Sequence, residues 1–341
     1  MYNPIFRITP YFLSLVDEAS TLRAWIENST LKVSWIPMLQ KEAQIKSAHS
    51  STSIEGNPLN LDQVQAIAQG ANTNSPKNFE QEIRNHLIST RWIEKHAKIL
   101  LSEKNILNLH KTLMKKLLPE TKCGKYKDKP NFIINGKNLR IYTPPTPQKT
   151  PQLMKELISW LNAPSTSELH SIIVSAIFHH QFLSIHPFTD GNGRMARLLS
   201  AWILYQRDFD TQHIFCLDDY FALDRNKYYK KIQQARELDN NLTYWLDYIA
   251  EGIVETLKKV KLRIENLQVS SKTKMLLSPR QEEILRVLKN ASSLGVSDLQ
   301  KKLHLTRTRI NQIITPLIKS RLIQKQGRSR ATRYKINLTQ T

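Results

Sequence analysis

Apolar residues that recur three and four positions apart constrain the fold of this 341-residue chain more than any other sequence feature. This spacing places them on one face of an α-helix. It is clear in FLSLVDEASTLRAWIE, FEQEIRNHLISTRWIEKHAKIL and RMARLLSAWILYQR, and Asn60 is predicted to cap a further helix. The chain has only nine glycines and fifteen prolines, the residue types that interrupt helices. We therefore expect a mainly α protein.

One stretch departs from this helical pattern. After Pro119 the segment KPNFIINGKNLRIYTPP contains two β-prone runs on either side of Asn135-Gly136. An Asn-Gly pair between β-formers predicts a hairpin, although Asn138 lengthens its turn. A single β-hairpin within a helical body is therefore expected.

Composition excludes several classes of protein. An apolar share of 40% with six Trp, eleven Tyr and ten Phe excludes wholesale disorder. Two cysteines, Cys123 and Cys216, are too few for a disulfide scaffold or a four-thiolate zinc site and favour a reducing cytosol. The N-terminus lacks a secretory signal pattern, and no apolar run is long enough to predict a membrane span. We expect a cytoplasmic protein.

Positive charge is concentrated at the C-terminus. The formal net charge is +21, and from Arg280 onward fourteen Lys and Arg residues oppose three acidic ones. About half of the excess thus lies in the last fifth of the chain. A basic terminal segment is typical of nucleic-acid binding, because phosphate neutralisation releases counterions. The alternative is a solvated surface that keeps the chain soluble.

The most specific segment is HPFTDGNGRMAR, residues 186–197. An apolar helix runs into its His-Pro pair, where proline discourages further helix. In residues 191–193 two glycines flank an asparagine just before a new helix, so consecutive backbone N–H groups can converge on an anion. Arg194 and Arg197 lie one turn apart on the same face of that helix. The pattern predicts a phosphate site with two guanidinium clamps.

Two other side chains add chemistry to this segment. Asp190 beside a polyphosphate is a candidate Mg²⁺ ligand, since Mg²⁺ favours one or two carboxylates plus phosphate oxygens. His186 has the ordinary pKa suited to a general base near neutral pH. Together they favour nucleotidyl or phosphoryl transfer. The alternative is a glycine-rich turn that happens to contain a histidine.

HPFTDGNGRMAR matches every fixed position of the Fic motif, HPF-x-[DE]-GNGR-x-x-R, so the segment resembles the Fic family. The segment from Gly124 to Asn162 is similar to the family's flap hairpin and the helix after it. The segment from Leu223 to Ile253 is similar to the helices that close the nucleotide pocket. The resemblance covers roughly residues 50–255. It implies a helical fold with a flap, and transfer of AMP from ATP to a Ser, Thr or Tyr hydroxyl of a target protein or of the chain itself.

The resemblance also implies a role for each motif residue. His186 would deprotonate the hydroxyl, and Asp190 would hold Mg²⁺ against the α- and β-phosphates. The phosphate contacts would come from the α-phosphate site, Gly191, Asn192 and Gly193, and from the β- and γ-phosphate clamps, Arg194 and Arg197. ATP and Mg²⁺ are thus the expected substrate and cofactor.

Outside the motif, the resemblance implies contacts of the flap and of the adenosine. The flap edge, expected to pin the target by strand addition beside the nucleotide, comprises Asn131, Phe132, Ile133 and Ile134. Tyr228 and Tyr229 are predicted to border the adenosine, with core packing as the alternative. His179 and His180 match nothing in the motif and are interpreted as packing or surface histidines rather than a metal pair.

A second motif precedes the first. Residues 51–56, STSIEG, match [ST]-x-x-x-E-[GN], which is similar to the family's inhibitory helix and would place that helix at about residues 45–56. Glu55 could pair with Arg197 and deny the γ-phosphate its clamp, so Ser51 and Glu55 are the predicted regulatory residues. The alternative is a helix C-cap at Gly56 with Glu55 merely exposed.

The basic C-terminal segment predicts three helices and a hairpin. Ser278 is the expected N-cap of the first, Ser297 begins the second, and Thr306 caps the third. Two β-prone runs surround Gly327. This order resembles a winged helix-turn-helix module.

In a winged helix the third helix enters the major groove of DNA. The predicted DNA contacts are Arg307 and Arg309 on that helix and Arg328 and Arg330 on the wing. The alternative is a module used for protein contact or homodimerisation.

The predicted architecture has three parts: an N-terminal helical region over 1–100, a catalytic core over 101–275 and the winged module over 276–341. The function expected is that of an autoinhibited protein adenylyltransferase whose partners are a target protein and, through its C-terminus, DNA. One alternative is a DNA-binding regulator that senses nucleotide without catalysis. Another is a Fic enzyme that removes AMP, or that transfers UMP, phosphocholine or phosphate.

Overall fold

The computed structural model describes most of the chain in two compact units, Met1–Val260 and Lys261–Thr341. The residues described are 2–29, 35–71, 73–134, 140–210, 212–272, 277–289, 291, 293–320, 322–327 and 332–336. The division falls inside a long helix, earlier than the boundary predicted near residue 276. The first unit contains the predicted N-terminal region and the predicted core as far as Val260.

The first unit is built of helices, which confirms the predicted fold class. Its helices are α1 (Pro10–Asn28), α2 (Trp35–Ile54), α3 (Leu61–Ala68), α4 (Lys77–Lys95), α5 (Glu103–Leu113), α6 (Thr150–Leu161), α7 (Pro164–Ser167), α8 (Ser171–Ile185), α9 (Asn192–Gln206), α10 (Asp218–Leu223), α11 (Arg225–Glu237) and the start of α12 (Thr243–Lys272). None of the helices in the described ranges has the length and hydropathy of a membrane span.

The predicted cap of α3 is present. The Asn60 side chain accepts from the Gln63 N–H while the Gln63 side chain accepts from the Asn60 N–H, which is a reciprocal capping box. These bonds fix the start of α3 soon after α2 ends. The chain between the two helices, residues 55–60, is therefore held at both ends.

Helices α8 and α9 form the centre of the first unit. Almost every side chain of α8 is buried, and α9 contributes the fully buried Trp202 and Ile203. A helix that is apolar on all sides must pack on all sides, so α8 is surrounded by other elements. The connection between α8 and α9 is the predicted phosphate loop, which is consequently attached at both ends to buried helices.

A short hairpin interrupts the helices. Strand β1 (Ile133–Ile134) pairs antiparallel with β2 (Arg140–Tyr142), with Ile133 opposite Tyr142. The hairpin is thus where the sequence predicts it. Its turn residues, Asn135, Gly136 and Asn138, lie outside the described residues.

The second unit has its own small core. It contains α13 (Pro279–Lys289), α14 (Val296–Leu303) and α15 (Arg307–Lys319), with strands β3 (Leu294–Gly295), β4 (Ile323–Gln326) and β5 (Arg333–Ile336) in the antiparallel order β3-β5-β4. Its buried side chains include Ile284, Leu299, Ile310, Leu317 and Tyr334.

The predicted helix caps of the second unit are largely present. Ser278 Oγ accepts from the Gln281 N–H, and Thr306 Oγ1 accepts from the Arg309 N–H. The second helix begins at Val296 rather than Ser297, because Asp298 caps the Gly295 N–H at 3.0 Å. Arg307 and Arg309 are exposed at the start of α15, whereas Arg328 and Arg330 lie outside the described residues.

Candidate active site

The chain leaves α8 through His186, which adopts a left-handed conformation with φ of 49°. Its Nδ1 lies 3.4 Å from the Leu183 carbonyl oxygen. Since a carbonyl only accepts, Nδ1 carries the proton in this contact and Nε2 keeps a free lone pair. Burial lowers the pKa of His186 to about 4, so the ring is a neutral base at neutral pH. This value differs from the near-neutral pKa expected of an ordinary histidine.

The loop that follows is locked by the Asn192 side chain. Its Oδ1 accepts from the Phe188 N–H at 2.9 Å and its Nδ2 donates to the Phe188 carbonyl at 2.8 Å. The resemblance assigns Asn192 to the α-phosphate. Its Oδ1 is committed to the loop, whereas Nδ2 carries two N–H groups and uses one of them for the Phe188 carbonyl. The Asn192 backbone N–H lies in the first turn of α9.

His110, which the sequence analysis does not select, supports the same loop from α5. Its Nδ1 accepts from the Gly124 N–H at 2.9 Å, so Nε2 carries the proton and donates to the Asp190 carbonyl at 3.1 Å. The ring also stacks on Phe188 with centroids 3.6 Å apart. Burial lowers the pKa of His110 to about 4, which keeps it in the neutral form that makes both bonds.

The residues 191–193, here called the anion cradle, are the N-cap Gly191 and the first two residues of α9. Gly191 has a φ of 79°, and its N–H donates to the Asp190 Oδ1 at 2.5 Å. The next two N–H groups belong to the first turn of α9, where a helix supplies no acceptor. Within the part of the chain that the structure describes, the cradle therefore offers two open donors, not the three expected, at the positive end of a helix.

A carboxylate of the chain itself lies against this cradle. A Cβ built on Gly193 would lie 2.2 Å from Glu55 Oε1 and 3.2 Å from Arg197 Nη1. Only glycine leaves room for a carboxylate at that position. Glu55 thus occupies the space beside the helix start in which an anion is expected to bind.

Arg197 is the buried centre of the site, with 1% of its side chain exposed. Its Nη2 donates to Glu55 Oε1 at 2.7 Å and to the Ser51 carbonyl at 2.8 Å, and its Nε donates to Ser51 Oγ at 2.8 Å. On the other side Asp218 Oδ1 lies 3.6 Å from Nε. The predicted Glu55–Arg197 contact is present, and Ser51 reinforces it. Among the described residues, Nη1 has no hydrogen-bond partner.

The turn at Gly56 agrees partly with the C-cap interpretation. Helix α2 ends at Ile54, and Gly56 has a φ of 99°, which favours glycine after a helix. Glu55, however, is not merely exposed, because it pairs with Arg197. The C-cap geometry is what directs the Glu55 side chain back toward the site.

Arg194 pairs with a carboxylate that the sequence analysis does not identify. Its Nη1 lies 2.5 Å from Glu82 Oε1 on α4, and only 6% and 12% of the two side chains are exposed. Its Nη2 lies 3.5 Å from Asp190 Oδ1. Burial raises the pKa of Glu82, and the Arg194 guanidinium opposes that rise.

Asp190 is the residue available to a cation. Its side chain is 59% exposed, and in the described ranges no group of three or more His, Cys, Asp or Glu side chains converges as a metal site. One accessible carboxylate beside an anion cradle fits Mg²⁺ carried by a polyphosphate, which needs few protein ligands.

The flap is joined to the loop at its base. Asn131 Nδ2 donates to the Phe188 carbonyl at 3.0 Å, and Phe132 stacks under the Arg140 guanidinium at 3.5 Å. Lys127, absent from the sequence predictions, donates to Asn131 Oδ1 at 2.9 Å and to the Ile185 carbonyl at 3.2 Å. Burial lowers the pKa of Lys127 to about 8. Of the predicted flap residues, Asn131 thus contacts the motif loop directly, while Ile133 pairs with β2.

The two predicted adenosine residues differ in environment. Tyr228 is 1% exposed, and its hydroxyl lies 2.8 Å from His179 Nε2, so it packs in the core as the alternative interpretation states. Tyr229 is 40% exposed. His179 and His180 are both buried, and His180 Nε2 donates to the Ile232 carbonyl, which makes them packing residues.

The chain is similar in sequence to known proteins over a region that contains residues 186–197. Residues 100–204 match the model of the Fic/DOC family. Protein adenylyltransferase Fic of Drosophila yakuba is 29% identical over 222 residues, covering 64% of this chain and 42% of that protein. The Drosophila virilis protein of the same name is 28% identical over 250 residues, covering 72% and 47%. The chain thus spans less than half the length of these relatives.

Solved structures extend the likeness over the whole chain. A Fic family protein from Desulfovibrio desulfuricans has a TM-score of 0.67 at 26% identity and covers 99% of both chains. A Fic domain containing signaling protein from Bacteroides thetaiotaomicron has a TM-score of 0.61 at 21% identity, covering 73% and 94%, and shares the fold.

The lock formed by Asn192 predicts a stability effect. Asn192→Ala leaves the buried Phe188 N–H without its partner and removes one of the two donors to the Phe188 carbonyl, so we expect a loss of about 1–3 kcal/mol in the free energy of unfolding. Urea denaturation measures it, with Asn78→Ala, an exposed asparagine of α4, as the matched control. Equal midpoints for both variants would contradict the assigned role.

Proposed function

We propose that this chain, which contains a Fic domain, transfers AMP from ATP to a hydroxyl of a target protein and is held inactive by Glu55. The observation that carries the proposal is the Glu55 carboxylate, which lies between the Gly193 backbone and Arg197. A carboxylate that lies beside a helix start and pairs with a guanidinium marks an anion site. In the proposed reaction a phosphate of ATP takes that place.

His186 acts as the base in this proposal. Its Nε2 lone pair takes the proton of a Ser, Thr or Tyr hydroxyl of the target. The hydroxyl oxygen bonds to the α-phosphorus, the bond from that phosphorus to the α,β-bridging oxygen breaks, and pyrophosphate leaves. A positioned base of this kind contributes about 10²–10⁴-fold to a rate.

The anion cradle and the two arginines would hold the phosphates. The open N–H groups at the start of α9 face the α-phosphate, where negative charge develops as the hydroxyl attacks. Arg194 and Arg197 bind the β- and γ-phosphates. Their fixed positions supply orientation as well as charge, since the guanidinium is planar and presents its donors in a rigid fork.

Asp190 would hold Mg²⁺ together with phosphate oxygens. The ion, when bound, would offset the charge of the departing pyrophosphate. On the protein side, Gly191 and Arg194 both contact the Asp190 carboxylate and restrict where it points.

The flap would present the target. In the described part of the chain β1 pairs with β2 alone, which leaves its other edge for an extended segment. Strand addition there would place a hydroxyl beside His186, because Asn131 ties the start of the flap to the carbonyls of the motif loop.

The brake acts through Arg197. With Glu55 in place, Arg197 Nη2 is already bonded, and the carboxylate repels an incoming γ-phosphate. ATP would bind with its phosphates displaced from the in-line geometry. Glu55 is 29% exposed and lies in a turn, so its departure requires little repacking.

Removing the brake gives the first functional test. Glu55→Gly should raise AMP transfer and self-modification at least tenfold, because Arg197 Nη2 is released for phosphate and the repelling carboxylate is gone. Radiolabelled ATP measures this, with label in the α and γ positions in separate reactions and His186→Ala as the control that lacks the base. UTP in parallel tests the nucleotide.

The label identifies the reaction. Label from the α position that depends on His186 supports AMP transfer, whereas label from the γ position indicates phosphate transfer instead. A Glu55→Gly protein no more active than its parent with Mg·ATP would contradict the brake. Loss of AMP from pre-labelled protein only when Glu55 is present would indicate AMP removal.

The pH dependence tests the base. Burial disfavours the charged imidazole, so His186 with a pKa of about 4 stays neutral and active well below pH 6. The measurement is kcat/KM of Glu55→Gly divided by kcat/KM of the double variant Glu55→Gly/His186→Ala. This ratio should be constant from pH 8 to 6 and fall only as the pH approaches 4. A fall centred near 6.5, the value for an exposed histidine, would refute this.

A second function, DNA binding, rests on the second unit. Arg307 and Arg309 are exposed at the start of α15, the position of a recognition helix, in a strongly basic segment. The bound target would be a DNA duplex whose phosphates meet these guanidiniums.

Exchanging both arginines for alanine tests this second function. Arg307→Ala/Arg309→Ala should weaken duplex binding and reduce the slope of log K against log salt by about two, because two phosphate contacts are lost. Lys301→Ala/Lys302→Ala on α14 removes the same charge elsewhere and should change binding less. Fluorescence anisotropy at several salt concentrations measures duplex binding by both variants. If both bind the duplex as the parent does, with no dependence on salt, the DNA proposal is removed.

A further inference from the structure

Each of the two clamp arginines has a carboxylate partner, and the two carboxylates lie in different surroundings. Glu55, the partner of Arg197, is 29% exposed in a turn. Glu82, the partner of Arg194, is 12% exposed within α4, and its Oε2 accepts from Asn57 Nδ2 at 2.7 Å. Both Glu82 oxygens are therefore bonded, and its backbone is part of a helix.

The two carboxylates also differ in where they lie relative to the anion cradle. Glu55 Oε1 is the atom nearest to the missing Cβ of Gly193. The nearest atoms to the missing side chain of Gly191 belong to Met114 and His110, so Glu82 is not among the closest neighbours of either glycine. Glu82 holds Arg194 without covering the cradle.

We propose that Glu82 is a positioning residue that fixes the Arg194 guanidinium for the β-phosphate, a role that rests on the proposed function. A guanidinium bound along one edge keeps its other N–H groups directed, which avoids the ordering cost when phosphate binds. Arg194 Nε has no partner among the described residues, so the Glu82 contact is the main constraint on its orientation.

Asp190 shows why this constraint matters. Its Oδ1 lies 3.5 Å from Arg194 Nη2, just beyond a good hydrogen bond. Without Glu82, Asp190 is the nearest carboxylate for Arg194. A closed Arg194–Asp190 pair would draw the guanidinium away from the phosphates and neutralise the candidate Mg²⁺ ligand. Glu82 keeps the two groups apart.

Asn57 connects this arrangement to the brake. It lies two residues after Glu55, is 6% exposed, and bonds Glu82 through its side chain. Residues 55–57 thus contact Arg197 directly and Arg194 through Glu82. Glu55 can leave the site without disturbing Arg194, because Asn57 is anchored separately to the Thr52 carbonyl and to the Leu59 N–H.

The test compares Glu82→Gln with Glu80→Gln, both in the Glu55→Gly protein. Glu80 is on the same helix but bonds Thr73, so it controls for the loss of one charge. Calorimetry gives the Kd of Mg·ATP, Mg·ADP and AMP. We expect Glu82→Gln to weaken the binding of ATP and ADP at least tenfold, about 1.4 kcal/mol, because both carry a β-phosphate. The binding of AMP, which has none, should weaken less than twofold. Glu80→Gln should change all three less than twofold.

Several results would overturn the role of Glu82. Equal weakening of the binding of all three nucleotides would mean a structural role. Unchanged ATP binding would mean that Glu82 does not position Arg194, and tighter ATP binding would mean that Glu82 competes with phosphate. A rise in AMP transfer when Glu82→Gln is made in the parent protein would make it a second brake. If Glu82→Gln does not fold, Glu82→Asp replaces it, with the same selective loss expected because the shorter side chain cannot reach both partners.

Measurements of nucleotide binding and of AMP transfer test this inference and the proposed function separately. Selective weakening of ATP and ADP with no AMP transfer from α-labelled ATP would leave Glu82 as assigned and remove the transferase. If Glu55→Gly transfers AMP and the added Glu82→Gln alters neither this transfer nor the Kd values, the transferase proposal stands and the role of Glu82 is removed. ATP bound no more tightly than AMP by Glu55→Gly would overturn the clamp, and Glu82 with it.

Discussion

The desolvated guanidinium of Arg197 is the constraint on which the candidate site depends. A charge with 1% of its side chain exposed is stable only if opposite charge and hydrogen bonds surround it, because removing a lone ion from water costs several kcal/mol. Ser51, Glu55 and Asp218 supply those contacts here. A ligand that displaces Glu55 must therefore bring its own negative charge. In the proposed function, brake and substrate compete because both satisfy the same buried cation.

The loop around this cation is shaped by hydrogen bonds to its backbone, which come from neutral side chains and from Lys127. Asn192 binds the Phe188 backbone, His110 binds the Asp190 carbonyl, and Lys127 and Asn131 join the flap to the end of α8. All of these contacts are internal to the first unit and most are buried. These contacts fix the loop, and the loop in turn orients the side chains proposed to react. A short glycine-containing turn can therefore hold a base, a carboxylate and two guanidiniums in fixed relation.

Sequence reasoning succeeded where the signal is local. The helical body, the hairpin, the Asn60 and Thr306 caps and the residues of the motif loop all follow from spacing or from a contiguous pattern. Glu82, Lys127, His110 and Asp218 could not be found that way, because each reaches the site from another element and matches no pattern of its own. The sequence also does not show how deeply a side chain is buried. We expect an ordinary pKa for His186, but burial lowers it. We expect Tyr228 to border the nucleotide pocket, but it is buried in the core.

The charge of the whole chain and the balance of charge around the two clamp arginines differ. The chain carries +21, yet Glu55, Glu82, Asp190 and Asp218 outnumber the two clamp arginines around the loop. In the proposed function, general electrostatic attraction therefore does not account for phosphate binding there. Binding would come from directed donors, the helix start and two oriented guanidiniums, together with a cation that offsets the surplus of carboxylates. That surplus is a physical reason, independent of the motif, to expect a triphosphate to enter with Mg²⁺ and to meet Asp190 first, since it is the most exposed of the four carboxylates.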